Sequence, residues 1–202
     1  MPNNISRRGA LALVAGGIVG AFSLPGAALA LNDAEARALI DRALGDVNAA
    51  IASGKSQAQL FREFEAIFTR YSDVPVIARS ALGVAARQAS PAQMTAFTAA
   101  FKGYLSRKYG RRFREIVGGR FEVTGARQVK SFYEVSSIAY LKGEAPFKVE
   151  WHVSDKSGRN LFFNIIVEGV NMLAAERAEI GAMLDRRRGN IDALIADLKT
   201  AG

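Results

Sequence analysis

The sequence contains no cysteine and a single histidine, His152. Without cysteine the chain can form neither disulfides nor thiolate metal sites, and it has no thiolate nucleophile. A catalytic triad or a histidine metal site would have to be built on His152 alone, which occupies a polar position of an alternating segment. We therefore interpret His152 as a solvated surface residue and expect core packing alone to hold the fold together.

Acidic residues are few relative to basic ones, with 19 Asp and Glu against 27 Lys and Arg and a net charge of +8. This balance favours contact with anionic lipid headgroups, acidic proteins or nucleic acid. Basic residues interleave with aromatic ones between positions 102 and 114, at Lys102, Arg107, Lys108, Arg111, Arg112 and Arg114. We interpret that run as one solvent-exposed face of a helix and expect no nucleic-acid partner.

Long apolar runs are scarce, and the one near the start, residues 10–24, is too short to span a membrane. It follows Arg7 and Arg8 and precedes an A-x-A cleavage pattern at residues 28–30, an arrangement typical of an export signal. The paired arginines resemble a twin-arginine signal. The sequence thus predicts a leader over residues 1–30 and a single domain over 31–202 that lies outside the cytoplasm. Loss of Arg7 and Arg8 would leave 25 of the 27 basic residues against 19 acidic ones, a net charge of +6.

Four helix starts are visible before residue 95. Capping residues stand at Asn32, Ser56, Asp73 and Ser90, and Pro91 occupies the first helical position after the last of them. Each precedes apolar residues at helical spacing, so helices are predicted from about 33, 57, 74 and 91. Two further helices are predicted over residues 173–187 and 190–199.

Between these helices the pattern changes to strands. Residues 147–154 alternate strictly between apolar and polar, and strands are also predicted over 121–124, 132–141 and 161–167. The alternation in the second strand slips at Ser136 and Ser137, which predicts a β-bulge there. Helices, then a meander, then helices again predict an α+β fold. Its twisted antiparallel sheet of about four strands is covered by helices from both ends of the chain.

Four carboxylates, Glu122, Glu134, Glu150 and Glu168, lie in or beside the strands, and two of them could face each other as an acid–base pair. Solvent-facing strand residues give the same pattern, and we adopt that interpretation. The glycines at 118 and 119 follow a helix and precede a strand, the reverse of a phosphate-binding loop.

Several segments together resemble the MlaC (toluene-tolerance) family of periplasmic phospholipid carriers. They are Tyr71-Ser72-Asp73-Val74 with Ile77-Ala78-Arg79 and Leu82-Gly83; Ser90-Pro91-Ala92-Gln93 leading to Phe97, Phe101, Leu105 and Tyr109; Val167-Glu168-Gly169-Val170-Asn171-Met172 with Arg177 and Glu179; and Gly189-Asn190-Ile191-Asp192-Ala193-Leu194-Ile195. They occur in the family's order and cover nearly all of the chain after the leader.

The resemblance implies a monomeric carrier with no cofactor that holds the acyl chains of a phospholipid in an apolar cleft. It would exchange lipid with the MCE-domain subunit of an inner-membrane ABC transporter and with an outer-membrane lipoprotein–porin complex, and so maintain the lipid asymmetry of the outer membrane. The residues expected to line the cleft are Val74, Ile77, Leu82, Phe97, Phe101, Tyr104, Leu105, Tyr133, Val135, Ile138, Tyr140, Val149, Trp151, Val153, Phe163, Ile165, Val167, Val170 and Met172.

Partner docking is assigned to basic residues near the ends of two helices, Lys108, Arg111, Arg112, Arg186 and Arg187. Three alternatives stay open. The lipid could be a hopanoid or another class, the cone-shaped sheet could enclose a small-molecule enzyme site, or the domain could be an envelope adaptor with a solid core. The mostly apolar residues expected to point inward favour a carrier over an enzyme.

Overall fold

The structure, a computed structural model, describes residues 31–110 and 119–202. Within them the chain forms six α-helices and a five-stranded antiparallel sheet, which confirms the predicted α+β class. The helices are α1 (Asp33–Ala52), α2 (Gln57–Tyr71), α3 (Val74–Leu82), α4 (Pro91–Gly110), α5 (Met172–Arg186) and α6 (Ile191–Leu198), with a 3-10 turn at Gly83–Arg87. The strands are β1 (Arg120–Val129), β2 (Phe132–Tyr140), β3 (Phe147–Ser154), β4 (Leu161–Val167) and β5 (Val170–Asn171). The predicted leader lies outside the described residues.

The predicted capping residues begin their helices. The Asn32 side chain accepts a hydrogen bond from the backbone N–H of Glu35 at 3.0 Å. Ser90 and Gln93 cap each other reciprocally, through bonds of 3.0 and 3.2 Å between each side chain and the other's backbone N–H. These local bonds satisfy backbone donors that a helix start leaves unpaired, so the helix starts follow from short stretches of sequence. Among the described helices, none is long and apolar enough to cross a bilayer.

The strands pair in chain order, each antiparallel to the next, as expected of a meander. The predicted strand over 121–124 is part of a longer one, since β1 continues to Val129. The two residues of β5 add a short fifth strand after the bend at Gly169, whose φ of 79° lies in the left-handed region that glycine adopts without steric cost.

The predicted bulge at Ser136 and Ser137 is wrong in its position. Strand β2 pairs with β3 without interruption, and its register with β1 shifts between Val123 and Gly125, so the extra residue is Thr124 of β1. Side chains of β2 therefore alternate regularly along the whole strand. A second irregularity lies in β4, where His152 pairs with Asn164 and Val153 with Phe162, which leaves Phe163 as the extra residue.

Two apolar clusters form the core. The helical cluster joins α3, the 3-10 turn, α4, α5 and α6, and the sheet cluster joins α1 and Tyr71 to one face of β1–β4. We call that face of the sheet the inner face and the opposite one the outer face. Phe68 of α2 packs against both clusters and so connects them.

Candidate functional site

The cross-strand pairing determines which side chains share the inner face. Val135 pairs with Trp151, and Trp151 in turn pairs with Ile165, while Val149 pairs with Val167 on the same face. Helix α1 covers this face mainly over β1 and β2, and the cluster that it forms with the sheet buries Val123, Val135 and, on β3, Val153. The part of the inner face farthest from α1 is formed by Val149, Trp151, Ile165 and Val167, which we call the β3–β4 corner.

The β3–β4 corner is apolar and keeps accessible surface. Val149 is buried, whereas Trp151, Ile165 and Val167 are half-buried. Apolar side chains that stay partly accessible on the inner side of a sheet are candidates for contact with an apolar ligand. This corner combines apolar character, accessibility and a position beside the sheet cluster, against which Trp151 and Ile165 pack.

Trp151 is held in one orientation. Its indole N–H donates to the Ser137 hydroxyl oxygen at 2.9 Å, and that hydroxyl donates to the Val149 carbonyl oxygen at 3.2 Å. Its ring packs edge-on against Phe162, with centroids 5.5 Å apart, and Phe162 meets Phe68 in the same manner at 6.0 Å. Because the indole N–H already has a partner, Trp151 presents an apolar ring edge at no cost in lost hydrogen bonds.

Many residues expected to line a cleft instead belong to closed packing. Phe97 and Phe101 stack with centroids 5.6 Å apart, and both have 0% exposure, as do Val135 and Val153 of the sheet cluster. A side chain without accessible surface borders no space wide enough for a water molecule, so these four are core residues in this structure. The other predicted lining residues that are buried are Val74, Ile77, Leu82, Tyr104, Leu105 and Val149.

The remaining predicted lining residues divide between the two faces. Ile138 and Tyr140 lie on the outer face because β2 has no bulge, which corrects the expectation that they share a face with Tyr133 and Val135. Phe163 also turns outward, with its ring 5.7 Å from that of His152. Val170 is 57% exposed on β5. Tyr133 and Met172 are half-buried, on the inner face and at the start of α5 respectively.

A polar clamp that the sequence analysis missed joins α4 to α5. The Lys108 ammonium lies 2.7 Å from Glu176 Oε1 and 2.5 Å from Glu179 Oε2, and the Tyr104 hydroxyl donates to Glu179 Oε1 at 2.7 Å. The Tyr109 hydroxyl also donates to Glu176, which is 4% exposed. Burial, followed by these hydrogen bonds, raises the pKa of Tyr104 and of Tyr109, whereas the donors Lys108 and Tyr104 lower the pKa of Glu179.

The spacing of the clamp residues was a usable signal. Tyr104 and Lys108 stand four residues apart on α4, and Glu176 and Glu179 stand three apart on α5, so each pair shares a helix face. What the sequence did not contain is which two helices would meet.

His152 is not the solvated residue that its polar position predicted. Its side chain is 14% exposed on the outer face, and its ring lies 4.5 Å from that of Phe132. Its Nε2 is 3.9 Å from Glu134 Oε2, and the guanidinium of Arg127 donates twice to Glu134 Oε1, at 2.7 and 2.9 Å. Burial lowers the pKa of His152, against the opposing charge of Glu134.

The four strand carboxylates do not pair with one another. Glu134 lies across from His152 on one side and Arg127 on the other, and Glu150 lies across from Ser136 and Ile166. Glu134 is buried, contrary to the expectation of a solvent-facing residue. Its bond to the Arg127 guanidinium is typical of a structural ion pair rather than of two carboxylates sharing a proton.

Of the predicted docking residues, two have partners within the chain. Lys108 belongs to the clamp, and the Arg187 guanidinium donates to both oxygens of Asp197 at 2.6 Å. Arg186 is exposed at the end of α5. Arg111 and Arg112 lie outside the described residues, so docking through these five positions stays a prediction. The described part of the chain contains no group of three or more histidines or carboxylates that could hold a metal ion.

A comparison with known protein families identifies the family to which this fold belongs. The model of the MlaC protein family matches residues 37–200. The chain belongs to the MlaC family. This match covers all six helices apart from the first turn of α1, together with the whole sheet.

The fold of this MlaC-family chain is similar to that of solved structures. Among them is the phospholipid-binding protein from Ralstonia solanacearum in complex with a phospholipid, with a TM-score of 0.70 and 20% sequence identity. The alignment covers 81% of this chain and 94% of that one. At this identity the similarity establishes the architecture, and the apolar corner described above is a property of this chain's own residues.

Proposed function

We propose that this MlaC-family protein is a periplasmic phospholipid carrier and that lipid acyl chains contact it at the β3–β4 corner. The observation that carries the proposal is the accessible apolar surface of Trp151, Ile165 and Val167 on the inner face, at the edge of the sheet cluster. The family membership and the phospholipid bound to the Ralstonia protein of the same fold support it.

The energetics of an acyl-chain site explain why few polar contacts are needed. Transfer of roughly thirty methylenes from water at about 0.8 kcal/mol each gives a gross term of the order of 20 kcal/mol. Ordering the lipid and the protein reduces this term, but it is ample for binding without a specific headgroup contact. Spontaneous release would be slow, so handover requires a partner that opens or continues the site.

The proposed partners are those that the family resemblance implies. We propose that the protein moves phospholipid between an outer-membrane lipoprotein–porin complex and the MCE-domain subunit of an inner-membrane ABC transporter, and thereby contributes to outer-membrane lipid asymmetry. The excess of basic over acidic residues favours acidic docking surfaces on these partners. Export through the leader over residues 1–30, by the twin-arginine route, would bring the protein to that compartment.

The polar groups support a binding protein rather than an enzyme. Glu134, Glu176 and Asp73 are buried carboxylates of the kind that an acid–base mechanism would need. Glu134 and Glu176 each face a cation of the same fold, Arg127 and Lys108 respectively, and Asp73 accepts from the Val76 backbone N–H at the start of α3 and from the Ser157 hydroxyl. All three carboxylates are thus engaged in contacts within the fold rather than directed at a substrate. A hopanoid or another apolar lipid would fit the same corner by the same chemistry.

The proposal is tested by the lipid that co-purifies with the protein. Ile165→Asn places an unpaired amide at the corner, and such a group costs about 1–3 kcal/mol when an apolar ligand covers it. We expect roughly a tenfold or greater loss of bound phospholipid, measured by native mass spectrometry of protein purified without added lipid.

A matched control lies next to it on the same strand. Ile166 is also half-buried but points to the outer face, so Ile166→Asn should keep its lipid. Equal retention by both variants would contradict the placement of the site. A small polar metabolite in the wild-type protein would favour an enzyme, and a protein without any adduct would favour an adaptor.

A further inference from the structure

Exposed valines stand among arginines on the outer side of α3 and the 3-10 turn. Val84 is 71% exposed and Val76 39%, although neighbouring apolar residues of these elements are buried. Arg79 and Arg87 of the same two elements and Arg177 of α5 are exposed as well. We call these five residues the α3 patch. Neither the core nor the β3–β4 corner uses it.

Spacing along the chain and one contact relate the members of the patch to one another. Val76, Arg79 and Gly83 are spaced by three and four residues and so follow one face of α3, and Val84 and Arg87 are three apart in the 3-10 turn, where such positions eclipse. Arg177 reaches this stripe from α5. A methyl group at Gly83 would come within 3.2 Å of the Arg177 Nε, so the guanidinium lies directly over that glycine.

The charge of the patch is uncompensated within the described structure. In residues 31–110 and 119–202, no hydrogen bond or ion pair joins Arg79, Arg87 or Arg177 to a carboxylate. The nearest acidic residues of α5 in the sequence, Glu176 and Glu179, are turned toward α4, where they hold Lys108. The patch therefore presents three positive charges around two apolar side chains.

We propose that the α3 patch docks the protein on an anionic phospholipid bilayer. Guanidinium groups bind headgroup phosphates through paired hydrogen bonds, and short branched side chains at the centre can enter the boundary between headgroups and acyl chains. A bilayer suits this arrangement because the outer side of a helix contacts a flat surface without a recess. Docking would bring a lipid carrier to its donor or acceptor membrane, but it does not depend on the β3–β4 corner.

Sedimentation with vesicles tests the proposal. The purified protein is mixed with vesicles of phosphatidylcholine alone or of phosphatidylcholine and phosphatidylglycerol in equal parts. We expect binding to the anionic vesicles, weakened by salt, and a loss of about fivefold in apparent affinity for each of Arg79→Gln and Arg177→Gln. Val84→Ser should lower binding by a similar factor, because it removes apolar surface without changing the charge.

Two matched controls, Arg42→Gln on α1 and Arg62→Gln on α2, each neutralise one exposed arginine and so change the net charge as much as one of the arginine variants of the α3 patch. If each control loses as much binding as those variants, the attraction is general and the proposal is wrong. If the protein binds neither kind of vesicle but binds immobilised polyglutamate through Arg79 and Arg177, the α3 patch recognises an acidic protein instead. That result would also overturn the proposal. Ile165→Asn should still sediment, so failure of docking and failure of lipid carriage are separable.

Discussion

The helical cluster and the sheet cluster contain similar residues but differ in what lies at their edges. The half-buried apolar residues packed against the helical cluster are spread over α2, α4, α5 and β4, whereas half-buried Trp151 and Ile165 at the edge of the sheet cluster pair across two neighbouring strands. The difference shows that apolar content alone does not make a ligand site. What distinguishes the corner is apolar surface that no element of the described fold fully covers.

The shapes of the covering elements explain this difference. Four helices can pack around a common core and contribute side chains to it from several sides, as α3, α4, α5 and α6 do. A single helix is about 10 Å across, whereas four strands spaced about 4.8 Å apart form a wider face. Helix α1 therefore buries the β1–β2 side of the inner face and leaves the β3–β4 corner partly accessible.

The largest effect is expected in the helical cluster. Phe101→Ala removes a ring with 0% exposure and should lower the free energy of unfolding by about 3–5 kcal/mol, measured by chemical denaturation of lipid-free protein. The lipid bound per folded molecule should stay near the wild-type value. Ile165→Asn should show the reverse ranking, with a large loss of lipid and a smaller loss of stability. If both variants lose lipid and stability in parallel, the two clusters are not functionally distinct.

The clamp between α4 and α5 gives the next largest effect. Lys108→Met leaves the buried Glu176 carboxylate without its cation and should cost about 3 kcal/mol of unfolding free energy. Adding Glu176→Leu to that variant removes the stranded charge and should recover most of the loss. A double variant no more stable than Lys108→Met would show that the clamp does not act as a charge pair.

A smaller effect is expected at the corner from Ser137→Ala. The substitution removes the acceptor of the Trp151 indole N–H and should cost about 1–3 kcal/mol. Trp151 is the single tryptophan of the chain, so its fluorescence reports on the corner directly. Phospholipid should shift the wild-type emission to shorter wavelength. An emission spectrum that lipid leaves unchanged, in a protein shown to be loaded, would place the acyl chains elsewhere.

The smallest effect concerns His152 on the outer face. Because burial holds its pKa in the folded protein below the ordinary value of 6.5, the unfolded chain binds the proton more readily. Stability should thus fall as the pH drops from 6.5 toward the lowered pKa. His152→Gln should flatten this part of the curve, measured by thermal unfolding between pH 7 and 5. Lipid binding should not follow the same profile, since His152 faces away from the corner.

The sequence predicted where helices and strands lie better than it predicted which face of the sheet each side chain occupies. The capping residues and the alternation of β3 gave the helix starts and a strand correctly, because both signals are local. The serines at 136 and 137 were interpreted as a bulge because two polar residues interrupt an apolar pattern. In fact Ser137 points inward, where its hydroxyl accepts from Trp151, and that partner is fourteen residues away. This misassignment put Ile138 and Tyr140 on the wrong face.

The residues predicted to line the cleft show the same limit, because the sequence does not tell buried core from accessible surface. Phe101 and Ile165 are equally apolar in the sequence, but one is closed in by four helices and the other lies where α1 does not reach. His152 and Glu134 were expected in solvent because they alternate with apolar residues. Phe132 packs against His152 on the outer face and Arg127 binds Glu134 there, and neither contact has a local sequence signal.

By itself the sequence determined the class of fold, the order of its elements and the family, since capping residues, strand alternation and short motifs act over a few positions each. Tertiary structure alone decided which apolar residues are closed core and which form an accessible corner. It also decided that Lys108 meets Glu176 and that Arg177 joins the α3 patch. Those outcomes depend on which elements pack together and how far each one reaches, and no stretch of a few residues contains that information.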